Sequence, residues 1–324
     1  MSFSLPYRRF SFVLAAAAAL AAAALAPASA AHLAGPSQVN AAPTAGAERT
    51  ATLRYGPYTI PAATQDEHGE LPNQVAFNVR KPCDDCYITG FKPNLVYADG
   101  TTANINTGPM LHHVVFFNSR QRDVVCSGPR RIISSGNERM ESVFPDGYGF
   151  RVSSGDRWTL LYDLMNHGHA EKQVYIQFTF TYEPVAGSRI TPVTPIWMDA
   201  GGCADSTWDT PEGQPSERSR TWRSTISGNL VHMRGHLHHG GVSVKTENAT
   251  RGRLLCQSTA TEGGTPEFID HHGNTEVSDM PTCSGTPLGR IGRGDTLRIT
   301  AAYRATDHAH HGVMGIMTGW VDED

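Results

Sequence analysis

From about residue 55 onward, the chain reads as short runs of hydrophobic residues interleaved with polar ones and separated by turn-formers. The clearest run is Val174–Tyr182 (VYIQFTFTY), rich in β-branched and aromatic residues. Gln74–Arg80, Leu111–Asn118, Val242–Thr246, Thr296–Tyr303 and Val313–Val321 read the same way. Gly, Pro, Asp and Asn punctuate the gaps, and past the N-terminal segment no stretch keeps a helical period. This pattern predicts an all-β sandwich or jelly roll. Pro184, Pro192 and Pro195, followed by the polar stretch GGCADSTWDTPEGQPSERSR (201–220), mark a seam. Two β-domains are expected, over 55–190 and 191–324.

The first residues carry a different signal. Arg8 and Arg9 precede an apolar Ala/Leu run over Ser11–Leu25, and Ala28-Ser29-Ala30 fits a cleavage site. Residues 1–30 are therefore expected to be a signal peptide, with Arg8-Arg9 a weak hint of twin-arginine export. An uncleaved anchor is the alternative. Residues 31–54, rich in Ala, Gly, Pro and Ser at their start, are expected to be a flexible lead-in. The mature protein is then expected to be extracellular, periplasmic or on the cell surface, with no membrane span after signal removal.

Export changes the meaning of six cysteines, Cys83, Cys86, Cys126, Cys203, Cys256 and Cys283. An even count in an oxidising compartment predicts up to three disulfides. Cys83 and Cys86 lack the βαβ context of a redox CxxC, and Cys256 could pair with Cys283. The net charge is −4, and loss of Arg8 and Arg9 would take it to −6. There is no basic field for nucleic acid.

The unusual number is 15 His, several in tight clusters. His112 and His113 open an apolar run. Neighbours on a regular strand face opposite ways, so these two can share an ion only at a strand end or bulge. His236 and His238 have the i, i+2 spacing that places both on one side of a strand, with His239 on the other. His167 and His169 follow the run Trp158–Met165. Asp307–Met317 mixes His308, His310 and His311 with Met314 and Met317, and a thioether beside imidazoles favours copper over zinc. The plain alternatives are core or surface histidines and core methionines.

The order of these features resembles the type II copper, ascorbate-dependent monooxygenases, whose peptidylglycine α-hydroxylating members have two jelly-roll sandwiches with one copper each. A closer resemblance is to the stress up-regulated Nod 19 family. It is carried by PMLHHVVFFN (109–118), SSGNER (134–139), FPDGYGF (144–150), GGC (201–203), GHLHHGG (235–241), PLGRIGRGDTLRITAAY (287–303) and VMGIM (313–317).

The resemblance implies two jelly-roll-type β-sandwich domains packed side by side. It implies a three-histidine, electron-relaying copper on His112, His113 and His167, with His169 as an alternative third ligand. It implies a second, O2-activating copper on His236, His238 and Met314, which would be the catalytic centre. Arg234 matches a substrate-carboxylate contact, and ascorbate or another one-electron reductant would be co-substrate. Gly315, Ile316 and Thr318 stand where the peptide-amidating members have polar residues, so a peptidylglycine substrate is not implied. The expected function is an exported, monooxygenase-like copper protein that hydroxylates an unknown organic or peptide-like substrate with O2. The competing readings are a non-catalytic copper-binding or stress protein, a recognition sandwich and a zinc hydrolase.

Overall fold

Alternation along the strands sorts the side chains into two packed interiors. The computed structural model describes residues 46–65, 67–203 and 205–324. The expected signal peptide and the start of the lead-in lie outside the described residues.

The strands in chain order are β1 (Arg49–Ile60), β2 (Gly69–Val79), β3 (Cys86–Val96), β4 (Pro109–Arg122), β5 (Pro129–Gly136), β6 (Ser142–Val143) and β7 (Tyr148–Val152). Next come β8 (Trp158–Asn166), β9 (Lys172–Pro184), β10 (Thr191–Asp199), β11 (Trp208–Thr210), β12 (Ser216–Arg223), β13 (Gly228–Leu237) and β14 (Gly241–Asn248). The last are β15 (Arg253–Thr259), β16 (Thr261–Glu262), β17 (Val277–Asp279), β18 (Cys283–Ile291), β19 (Thr296–Tyr303), β20 (His310–Val313) and β21 (Gly315–Glu323). The helical elements among the described residues are two short 3₁₀ turns, Ile105–Thr107 and Pro266–Phe268. Neither is long and apolar enough to cross a membrane. The fold is all-β and of sandwich type, as the pattern predicts. β1 begins at Arg49, inside the segment expected as a lead-in, and pairs with β9 from Arg49↔Tyr182 onward.

One long sheet runs in the order β1-β9-β3-β7-β10-β21-β13-β18. A four-stranded sheet, β2-β8-β4-β5, covers its first half, and another, β12-β19-β14-β15, covers its second. β8 shows the principle: Trp158, Leu160, Tyr162 and Leu164 are buried in the first core, while Thr159, Leu161, Asp163 and Met165 face the other way and are half-buried. Phe116, Phe178 and Phe180 complete that core as an aromatic stack. Met233, Leu237, Val244, Ile299 and Met317 build the second.

β10 is the joint between the halves. Thr191–Val193 pair in parallel with β7, and Thr194–Asp199 pair antiparallel with β21. The seam expected at 190/191 therefore falls just ahead of a strand whose hydrogen bonds reach into both halves. Val231 and Trp320 of the second half are buried in the first core.

The six cysteines form three disulfides, Cys83–Cys86, Cys126–Cys203 and Cys256–Cys283. Cys126–Cys203 spans the seam with a separation of 77 residues. Closing a loop of that size removes roughly 4 kcal/mol of unfolded-state entropy in the chain-entropy treatment. Replacing both, Cys126→Ser with Cys203→Ser, should lower unfolding stability in guanidinium by about 2–4 kcal/mol. A change below about 0.5 kcal/mol, no larger than an ordinary surface substitution, would show that the shared sheet alone fixes the seam.

Candidate metal centre

Two strands bring the central histidines together. On β4, the register against β8 slips between Leu111 and His113, so Leu111 pairs with Leu164 and His113 with Asp163. His112 is the extra residue of this bulge. The bulge resolves the problem of two adjacent ligands, because it lets both imidazoles face away from the core filled by Leu111 and Val114. On β13, His236 pairs with Ile316, and His238 lies just past the strand end at Leu237. A hydrogen bond from the His238 backbone N–H to the Tyr303 hydroxyl, 2.9 Å, fixes that exit.

The result is a cluster of four half-buried imidazoles from both halves of the chain. His113 Nε2 and His238 Nε2 are 2.8 Å apart. Ligand atoms of His112, His113 and His238 all lie within 4.8 Å of one another. The His236 ring lies 5.4 Å from that of His113 and 5.3 Å from that of His238.

Carboxylates set the tautomers. His113 Nδ1 lies 3.3 Å from Asp163 Oδ2, and His236 Nδ1 lies 3.1 Å from Glu138 Oε2. An ionised carboxylate only accepts, so each Nδ1 carries the proton and each Nε2 keeps a lone pair. The Nε2 of His236 is buried with no hydrogen-bond partner. Burial, reinforced by neighbouring imidazoles, holds His112 and His238 well below the usual imidazole range. Burial also lowers His113, against the pull of Asp163. His112, His113 and His238 are thus neutral donors, and the rings of His113 and His236 are oriented by carboxylates, which is the arrangement that a transition ion requires of its ligands. The donor set fits a borderline or soft ion and not Mg²⁺ or Ca²⁺.

Glu138 is the functional residue that the sequence reading missed. It sits in the phrase SSGNER, at a turn closed by Arg139 N–H to Gly136 O, 3.2 Å. Its Oε1 accepts from the Gly136 N–H at 3.1 Å. Burial alone would raise its pKa, but the His236 imidazole and the Arg234 guanidinium outweigh burial and bring it to about 2. Gly136 must be glycine here, since a Cβ would stand 2.3 Å from the His236 ring and 2.6 Å from Glu138 Oε2. A buried acid beside a glycine turn was the available signal, and only burial gives it meaning.

The remaining expected site residues are placed as follows. His167 is not in the central group. Its ring lies 4.2 Å from that of His68, and its Nδ1 lies 3.7 Å from Asp270 Oδ2. His169 is exposed and lies against His271. Arg234 is 3% exposed. Its Nη1 donates to Ser134 O at 2.8 Å and its Nη2 to Met140 O at 3.2 Å, so its donors clamp the two ends of the Glu138 turn. The substrate contact implied by resemblance is thus not the role these bonds give it; the guanidinium lies over the Phe91 ring, turned into the protein. Met314 occupies the break between β20 and β21, so the run expected as one strand over Val313–Val321 is interrupted there. Its side chain shares a cleft with His113, His236, Trp197 and Ile316. Asp307 pairs with exposed His308 at 2.7 Å.

Two hollows flank the cluster. An apolar cleft of about 140 Å³ includes Val115, Phe117, Leu161, Trp197, Met314 and Ile316 in its wall. A more polar one of about 290 Å³ is bordered by His68, His112, Glu138, His238, Glu276 and His310, with Met110, Met165 and Val313 in its apolar wall.

Comparison with known proteins agrees with this chemistry. The protein named "Probable copper-dependent oxygenase M1" from Phoma sp. (strain ATCC 20986 / MF5453) is 29% identical over 274 residues, covering 81% of this chain and 67% of that one. "Probable copper-dependent oxygenase clz3" from Cochliobolus lunatus is 28% identical over 228 residues, covering 66% of this chain and 70% of the relative. Among solved structures, PNGase F, a glycosylasparaginase from Flavobacterium meningosepticum, aligns with a TM-score of 0.42 and 9% identity over 85% of this chain and 96% of that one, a level that carries over neither fold nor chemistry. Residues 202–324, a segment that holds His236, His238 and Met314, match the stress up-regulated Nod 19 family.

Proposed function

We propose that this protein is an exported copper-dependent oxygenase whose copper is held by His112, His113 and His238, with His236 and Met314 as flanking donors. The observation that carries the reading is the convergence of imidazoles from β4 and β13, two of them oriented by Asp163 and Glu138. The names of the two relatives support copper and oxygenase chemistry. Three disulfides support export to an oxidising compartment.

Copper there would supply one-electron chemistry between O2, a C–H bond of the substrate and a reductant such as ascorbate. The protein's own part is positioning. Asp163 and Glu138 hold the proton on the Nδ1 of their partner rings and keep each Nε2 free. The apolar cleft beside His113 and His236 accepts a small hydrophobic portion of substrate, and Trp197 and Ile316 exclude water from it. We also propose that the halves on either side of β10 act as two sandwich lobes, each supplying one strand of the site.

The test is copper loading followed by ascorbate-driven O2 uptake on candidate apolar substrates. One equivalent of copper fewer in Met314→Leu would place a second ion on His236 and Met314, and unchanged content would leave one ion shared by the imidazoles. His113→Ala or His238→Ala should each remove the ion of the central cluster and abolish uptake, whereas His167→Ala should keep that ion. Loss of copper in His167→Ala with retention in His238→Ala would reverse the ligand assignment. Copper binding with no reductant-driven uptake would leave a copper-binding protein without catalysis.

Removing a ring-orienting carboxylate should act through the ligand. Asp163→Ala and Glu138→Gln should each weaken copper binding by about 10- to 100-fold in a competition titration. Unchanged affinity in both would show that the rings need no orienting partner. Gly136→Ala, which presses a methyl group into the His236 ring, should cost about 1–3 kcal/mol of stability and lower copper affinity together. Denaturant titration of metal-free and loaded protein measures both.

A further inference from the structure

A second set of imidazoles gathers away from the central cluster. His169, in the loop between β8 and β9, meets His271 and His272, in the turn ahead of β17, with one ring nitrogen of each within 4.8 Å of the other two. All three side chains are exposed. We propose that this trio is a separate binding site for a divalent transition ion of the Cu(II)–Zn(II) class, which clamps a loop of the first half of the chain to a loop of the second.

The loops are prepared on both sides. The His169 Nδ1 lies 3.4 Å from the carbonyl oxygen of Ala63, which can only accept, so the proton sits on Nδ1 and Nε2 keeps its lone pair. Asn166 fixes the backbone of this loop: its side chain donates to Pro61 O at 2.8 Å and Ala170 O at 2.9 Å, and accepts from the Gly168 N–H at 3.0 Å. On the opposite side, Asp270 ties the turn. Its Oδ1 accepts from the His272 and Asn274 N–H groups, both at 2.8 Å, and its Oδ2 accepts from the Asn274 amide at 2.9 Å. That turn holds the His271 and His272 rings 3.9 Å apart.

Asp270 also joins the two loops, through His167. That ring is buried, and neither of its nitrogens has a hydrogen-bond partner. Asp270 approaches its Nδ1 only to 3.7 Å. Adjacent loops thus converge with three solvent-facing imidazoles and with a buried polar group left unsatisfied beneath them. Three imidazoles with no carboxylate among them exclude Ca²⁺ and Mg²⁺ and favour Cu(II) or Zn(II), with solvent completing the coordination. None of the three belongs to the His112–His113–His238 group.

The test uses the full metal-free protein, titrated with Zn(II) by calorimetry and with Cu(II) by electron paramagnetic resonance. Three proteins are compared: the wild type, a triple variant (His169→Ala, His271→Ala, His272→Ala) and a double variant of the central cluster (His113→Ala, His238→Ala). The triple variant should bind one equivalent fewer of each ion and lose one Cu(II) spectral species. The double variant should keep that equivalent and that species. Zn(II) should also raise the melting temperature of the double variant and not that of a variant carrying both sets of changes. Equal stoichiometry and spectra in wild type and triple variant would overturn the proposal. The single variant His169→Gln keeps the test decisive if the triple variant is poorly folded, because removing one loop's only ligand should weaken the site and unchanged affinity would refute the clamp. Loss of the central ion's properties in the double variant bears on the proposed oxygenase alone, so the two readings fail separately.

Discussion

Four imidazoles packed together cannot all be charged, and their lone pairs cannot be left facing one another without a proton or a cation between them. The packing around His112, His113, His236 and His238 answers this constraint. Burial removes the charge from His112, His113 and His238. Asp163 and Glu138 then accept from the Nδ1–H groups of His113 and His236, which leaves the Nε2 lone pair of each ring for an ion. The 2.8 Å approach of two Nε2 atoms is tolerable only with a shared proton, and it is also the approach that an ion would replace by two bonds.

That constraint reaches far into the fold. Glu138 must stay ionised while almost completely enclosed, and an enclosed carboxylate is stable only if fully partnered. Arg234 supplies the compensating charge and clamps the backbone at both ends of the turn that carries it. Burial lowers Arg234 to about 10, against the pull of Glu138, so it is still a cation at neutral pH. Since Arg234 and His236 share β13 while Glu138, His113 and Asp163 belong to the first half, the site exists only while the halves keep their register. β10, paired to both, and the Cys126–Cys203 bridge fix that register.

Much of this was legible in the sequence. The alternating runs mark the strands, and the adjacent pair His112-His113 demands the bulge that β4 has against β8. The spacing of His236 and His238 places both on one side of β13 and its exit. Order along the chain could not say which imidazoles meet. His167 follows β8 by one residue, yet its ring goes to His68 and Asp270, in a loop whose backbone the Asn166 side chain holds. Glu138 reads as an ordinary polar residue in SSGNER and Arg234, by resemblance, as a substrate contact, and burial against a partner from another element gives each its task. The shared sheet was hidden for the same reason: prolines at 184, 192 and 195 signal a break in local structure, whereas β10 forms by pairing with strands far away in sequence.

The position of the cluster between two unlike hollows bears on how such a site would be used. On one side are Val115, Phe117, Leu161, Trp197 and Ile316, with Met314 the one soft donor among them. On the other are His68, His310 and Glu276, the last pushed up to about 7, chiefly by burial. A hydrophobic substrate is driven to the first wall by the loss of water from apolar surface. A polar reductant gains nothing there and finds hydrogen-bonding groups at the second. His113 reaches the first hollow, His112 and His238 reach the second, His236 borders both, and the 2.8 Å contact between His113 and His238 closes the distance between them. In the proposed oxygenase, this division lets one metal centre meet an apolar and a polar partner from opposite sides without requiring the two halves of the chain to move apart.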